Sequence, residues 1–200
     1  MAWTTPTTRT TGTLITASIW NTDLTDNLIY LKTNTKGRAE FLVATVPLTV
    51  GAPIAGLDGV SSPAEGIPYF EFVNGSVTYR EFYCRLLDYK LGGLTLNFEV
   101  MRTSAAAAAT YIFDAAIRRI NTGSEDLGAS QTYDYNTVTV TIPAGPPNAG
   151  IPMAGTITFT NGADMDSLAT GEAFILRLRR NGGTATDTAR VLATITMNET

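Results

Sequence analysis

From residue 68 onward apolar side chains recur at every second position, and that period limits what the chain can become. "GLTLNFEV" sets Leu94, Leu96, Phe98 and Val100 against Thr95, Asn97 and Glu99, and "TVTVTI" sets Val138, Val140 and Ile142 against threonines. Only an extended strand sends alternate residues to opposite faces, so each run has one face to bury and one to leave wet. "PYFEFV", "VTYREFYCRLL", "TYIFDAAIRRI", "TITFT", "AFILRL" and "RVLATITM" behave similarly, for about eight strands in all. Between them stand "VNGS", "LGG", "NTGSED", "AGPPNAG" and "RNGGTATD", whose Gly, Asn, Asp and Pro are turn formers. Strands with one apolar face each suit two facing antiparallel sheets. The expected fold class is therefore all-β: an eight-stranded antiparallel β-sandwich, or jelly roll, over 68–200.

The first third reads differently. Residues 1–13, "MAWTTPTTRTTGT", are threonine-rich with little to bury, and predict an extended arm. Residues 14–32, "LITASIWNTDLTDNLIYLK", predict one amphipathic helix: Thr16 suits an N-cap, Gly37 a stop, and Trp20, Leu24, Leu28 and Leu31 fall on one stripe. Residues 38–67 mix a short apolar run with Pro, Gly and Ser, and predict a tether carrying edge strands. The domain expectation is thus an arm and helix over 1–37, a tether over 38–67 and the sandwich over 68–200. Both tryptophans, Trp3 and Trp20, lie in the first segment, where a large apolar ring serves as an interface anchor. So short a helix is marginal alone, and its stripe needs a partner surface. Heptad lettering places Ala17, Leu24 and Leu31 at d and Asn21 and Leu28 at a, so Asn21 could set the register of a small bundle. Packing of the helix on its own β-domain is the plainer alternative.

Chemistry is thinly supplied. The chain has no histidine, which removes the commonest general base near neutral pH, the usual nucleophile triads and the commonest metal ligand. Its one cysteine, Cys84, lies inside the strand "FYCRLL" and reads as a buried structural thiol. Asp164 with Asp166 in "NGADMDSL" and Glu125 with Asp126 in "TGSEDLG" are the best acid pairs, but each sits in a polar turn, where the first pair suits a capped helical turn between strands. "NGG" at 181–183 lacks phosphate-loop spacing and reads as a turn. No catalytic, cofactor-binding or metal-binding residues are expected. With a net charge of −4 and a single basic cluster, Arg177–Arg180, which strand alternation splits between faces, nucleic acid is not an expected partner. Without a run of 18 or more apolar residues, neither is a membrane.

The opening 32 residues resemble a leader found at the start of many tailed-bacteriophage virion proteins. A Trp and a Pro precede a threonine-rich arm, a Gly and then a helix of the form T-A-x-x-x-N-x-x-x-x-D-N-L-x-x-L, here Trp3, Pro6, Gly12, Thr16, Ala17, Asn21, Asp26, Asn27, Leu28 and Leu31. "VTYREFYCRL", "GGLTLNFEVM", "MDSLATGEAFILRLRRN" and "DTARVLATITMNET" are similar, more loosely, to β-sandwich modules of phage structural proteins. The chain departs from those modules after "TSAAAAAT", where Tyr111 and Phe113 stand in place of the Gly and Trp such modules carry.

The resemblance implies a non-enzymatic virion structural protein, made in the host cytoplasm. Its arm and helix would fasten it to tail, collar or capsid, and its sandwich would be displayed as part of a fibre, appendage or decoration. It also implies a homotrimer. The expected docking residues are Trp3, Trp20, Asn21, Leu24, Leu28 and Leu31. The alternative, from another class, is a carbohydrate-binding receptor module in which Tyr69, Tyr79, Tyr133 and Tyr135 stack on host-surface glycan. A hydrolase is disfavoured for want of paired acids.

Overall fold

A computed structural model describes residues 27, 67–75, 78–87, 89–103, 107–127, 129–143 and 150–200, together with the backbone of 38–42 and 54–58. Among these residues eleven strands run in chain order: β1 (Arg38–Leu42), β2 (Ile54–Asp58), β3 (Ile67–Phe72), β4 (Thr78–Leu87), β5 (Leu94–Arg102), β6 (Ala109–Arg119), β7 (Asn136–Ile142), β8 (Met153–Phe159), β9 (Ala173–Gly182), β10 (Ala189–Leu192) and β11 (Thr196–Glu199). All the ladders are antiparallel.

The pairings make a jelly roll. One sheet runs β1-β4-β9-β6-β7 and the other β2-β3-β10/β11-β5-β8. Consecutive strands β3, β4, β5 and β6 alternate between the two sheets, so the core closes only when sequence-distant strands meet. β10 and β11 lie end to end along the same edge of β5 and form one interrupted strand, which brings β3 to β11 to the eight expected. β1 and β2, from the segment between 38 and 67, extend the two sheets; β1 also touches β11 at a single bridge, Arg38 to Asn198.

Alternation explains what each sheet buries. In β4, Thr78, Arg80, Phe82, Cys84 and Leu86 are buried, while Tyr79, Glu81, Tyr83 and Arg85 face out. The two layers meet through edge-on aromatic contacts: Phe72 and Phe98 of one sheet lie 5.6 and 5.3 Å from Phe113 of the other, and Phe70 lies 5.9 Å from Phe82. Such contacts add to the area term of roughly 25 cal/mol per Å² of apolar surface. Tyr111 and Phe113, the departure from the phage-module pattern, both point inward with no exposed surface. Gly155 faces Phe98 across the β5–β8 ladder; a Cβ there would lie 2.5 Å from the ring, so the large side chain needs the missing one.

Several expectations are refined. The "RVLATITM" run is broken at 193–195, and "NGG" does not begin a turn at 181, because β9 continues through Gly182 with a register shift opposite Ile112 and Phe113. Alternation does split the basic cluster: Arg177 and Arg179 lie on the outer face, while Arg180 is buried at 2 % exposure. The arm and the helix over 14–32 lie outside the described residues apart from Asn27, which is helical and 4 % exposed.

Candidate functional site

The outer face of β4, β9 and β6 carries a layer of alternating guanidinium groups, tyrosines and carboxylates. Strand register creates it: Glu81 is opposite Arg177, and Asp114 is opposite Arg179. Arg177 donates from Nε to Glu81 at 2.8 Å, and its guanidinium lies over the rings of Tyr133 at 3.6 Å and Tyr79 at 4.2 Å. Arg179 lies 3.5 Å over Tyr135 and donates twice to Asp114 Oδ2, at 3.0 and 2.9 Å; Thr137 Oγ1 donates to the other oxygen at 2.8 Å. Burial works against the Arg177 charge, but the Tyr135 hydroxyl and the Glu81 carboxylate outweigh it and raise its pKa. Burial also raises the Tyr133 phenol.

This layer holds down the connection 120–135 between β6 and β7. Connections longer than ~12–15 residues without secondary structure of their own are either functional or disordered, and this one is tied at every turn. Asn121 donates its amide to Glu125 Oε2 at 2.8 Å; Gln131 Nε2 donates to the carbonyls of Asp126 at 2.8 Å and Ala129 at 3.2 Å; Tyr133 donates to Glu81 at 3.0 Å. Arg118, at the end of β6, forms an ion pair with Glu125 and donates to Gln131 Oε1 at 3.3 Å.

Beside this connection opens a cleft of roughly 320 Å³, between the end of β6, the strand-entering residues 131–134 and the 3-10 turn Ala163–Met165. Arg118, Arg119, Asn121, Gln131, Asp134 and Asp166 are the polar groups of its wall that matter here. Nε of Arg118 and Nε of Arg119 are both buried and find no hydrogen-bond partner among the described residues. A second hollow of roughly 350 Å³ shares Arg119 and Asn121, with the Arg119–Glu172 pair, 3.0 Å apart, between the two.

The structure disposes of the expected site residues unevenly. Trp3, Trp20, Asn21, Leu24, Leu28 and Leu31 lie outside the described residues. Asp164 accepts from the Thr160 amide at 3.1 Å, the Thr160 hydroxyl at 2.5 Å and Asn136 at 3.4 Å; the Thr160 bonds, then Asn136, hold its carboxyl below the usual range. Asp166 accepts from the Arg119 amide at 3.2 Å. Both acids therefore tie strand ends and not the amides of their own turn. Cys84 is 4 % exposed, and burial pushes its thiol up to about 12. The four tyrosines do not offer free rings: Tyr69 has Arg190 over it at 4.4 Å, and the other three carry Arg177 or Arg179. Sequence reasoning missed the cleft, whose only signal was the length and polarity of "NTGSEDLGASQTYDY".

Among the described residues no three His, Cys, Asp or Glu side chains are grouped to hold a metal. No protein-family model matches the chain, and no curated protein matches it either.

Proposed function

We propose that this chain is a non-enzymatic bacteriophage virion structural protein: residues 1–37 attach it to the particle, and the jelly roll is displayed as part of a fibre, tail appendage or capsid decoration, as a homotrimer. The attachment half rests on the leader-like opening from Trp3 to Leu31. The non-enzymatic half is supported by one structural observation, the use made of the acids in the two best pairs. Asp164, Asp166 and Glu125 each hold a strand end or a turn through a backbone amide. Glycoside hydrolysis needs two carboxyl groups about 5–10 Å apart across a cleft, one with its pKa raised; Asp164 is instead shifted downward.

Deleting 1–37 and offering the truncated protein to particles that lack the native one tests the reading. The expected product melts cooperatively, keeps its β-sheet circular dichroism and fails to join the particle. Normal incorporation of the truncated chain would refute the anchor.

A further inference from the structure

We propose that Asn74, just past the end of β3, is a site of spontaneous deamidation, and that its aspartate product tightens the link between that turn and Arg180. This goes beyond the attachment reading and does not depend on it. The sequence holds three Asn-Gly steps, at 74–75, 161–162 and 181–182. Glycine after asparagine favours the reaction, because no Cβ stands beside the attacking amide. At Asn74 the Gly75 nitrogen attacks Cγ. The N–Cγ bond forms, the Cγ–Nδ2 bond breaks, and the side-chain nitrogen leaves as ammonia with the proton that the Gly75 amide gives up. Water then opens the succinimide ring at one carbonyl or the other, which leaves aspartate or isoaspartate.

Local structure separates the three steps. Ring closure takes the asparagine ψ out of the extended and helical ranges, so the peptide that follows has to turn. Asn181 lies within β9, where Gly182 is in register with Ile112 and its carbonyl accepts from Arg180 Nε at 3.5 Å. Gly162 is anchored too, since its carbonyl accepts from the amides of Met165 and Ser167 at 3.1 and 2.8 Å. Asn74 and Gly75 instead stand exposed in a turn outside any strand, and the Gly75 amide donates to no acceptor among the described residues. Asn74 and Asn161 each have a donor on Oδ1, Arg180 Nη2 at 3.2 Å and the Tyr89 hydroxyl at 3.0 Å. Negative charge gathers on that oxygen during the attack, and a cation stabilises it better than a phenol does. The product also has a partner in place. Arg180 is 2 % exposed, and its acceptors among the described residues are the backbone carbonyls of Phe72, Gly182, Ala185 and Asp187 and Asn74 Oδ1, all uncharged. Deamidation puts a carboxylate of the same shape at the Asn74 position and so adds an ion pair to an existing bond.

Storing the full chain for weeks in mildly alkaline buffer, with peptide mapping by mass spectrometry at intervals, tests the site. The mass gain of amide-to-acid exchange should appear at Asn74 about tenfold faster than at Asn161 or Asn181, the cost of forcing a tied backbone being of that order. Asn74→Gln, which cannot close a five-membered ring, should abolish the gain at 74 and leave the other two positions as they were. The product is tested separately with Asn74→Asp. Its melting temperature should exceed that of the parent by about 1–4 °C near neutral pH, and the excess should vanish below about pH 3, where the carboxylate is protonated. The proposal fails if the gain appears first at Asn161 or Asn181, if Asn74 stays intact throughout, or if Asn74→Asp melts no higher than the parent.

Discussion

Replacing Arg180 with methionine should open one end of the sandwich. The guanidinium donates from Nη1 to the carbonyls of Asp187 at 2.7 Å and Phe72 at 3.3 Å, and from Nη2 to Ala185 O at 2.6 Å and Asn74 Oδ1 at 3.2 Å. It thereby joins the loop after β9 to the end of β3, and it lies 4.7 Å over the Tyr111 ring. Methionine nearly matches the length but donates nothing. Bonds from a charged donor contribute ~1.5–3 kcal/mol each, yet the four cannot be summed: they share one group, and the loop carbonyls can reach water if the loop lifts. Removing burial's penalty on the charge, which holds the Arg180 pKa down, offsets part of the loss. Breaking a buried, charge-assisted network costs about 3–5 kcal/mol in comparable cases, and we expect the lower half of that range. At ~2–4 °C per kcal/mol for a chain of this size, the melting temperature should fall by about 6–16 °C in calorimetry. Hydrogen exchange should also quicken at the Ala185 amide, which donates to Thr110 O at 3.1 Å. Asp187 keeps Arg102 at 3.2 Å and the Tyr111 hydroxyl at 2.8 Å, so the remainder should stay folded. A fall below about 2 °C with unchanged exchange at Ala185 would refute the latch.

Gly155→Val should destabilise by roughly 1–3 kcal/mol through collision with Phe98, a value read from denaturant midpoints; an unchanged midpoint would mean the ring is free to move away. Stability should fall as pH rises from the ordinary thiol value of 9.0 toward about 12, since burial raises Cys84, Tyr89, Tyr111 and Tyr133 alike and the unfolded chain releases those protons first. Urea titrations between those limits check the slope, and a flat profile would contradict the burial. Asn at both Asp164 and Asp166 should cost about 1 kcal/mol by loss of the strand-end bonds, and should blunt the loss of stability as pH falls through the lowered Asp164 pKa. Any glycan hydrolysis lost in that variant would overturn the non-enzymatic reading.

What the sequence decided by itself is the local geometry of the sandwich. Period-two alternation is a short-range property, so "GLTLNFEV" and "TVTVTI" announce both strand and buried face, and the split of Arg177 and Arg179 from Arg180 follows from alternation alone. Gly and Pro clusters mark the turns for the same reason. Pairing is another matter. Glu81 meets Arg177, and Asp114 meets Arg179, across 96 and 65 residues, and no spacing in the chain announces either register. Those pairings put guanidinium groups on Tyr79, Tyr133 and Tyr135, so rings that read as free platforms are occupied. They also lay the polar stretch 120–135 against the end of β6, where Arg118 and Arg119 meet Gln131, Asp134 and Asp166. A strand's outward face is set by its own residues, but what covers that face is set by strands far away in sequence. The cleft at the end of β6 is a product of that second kind of contact.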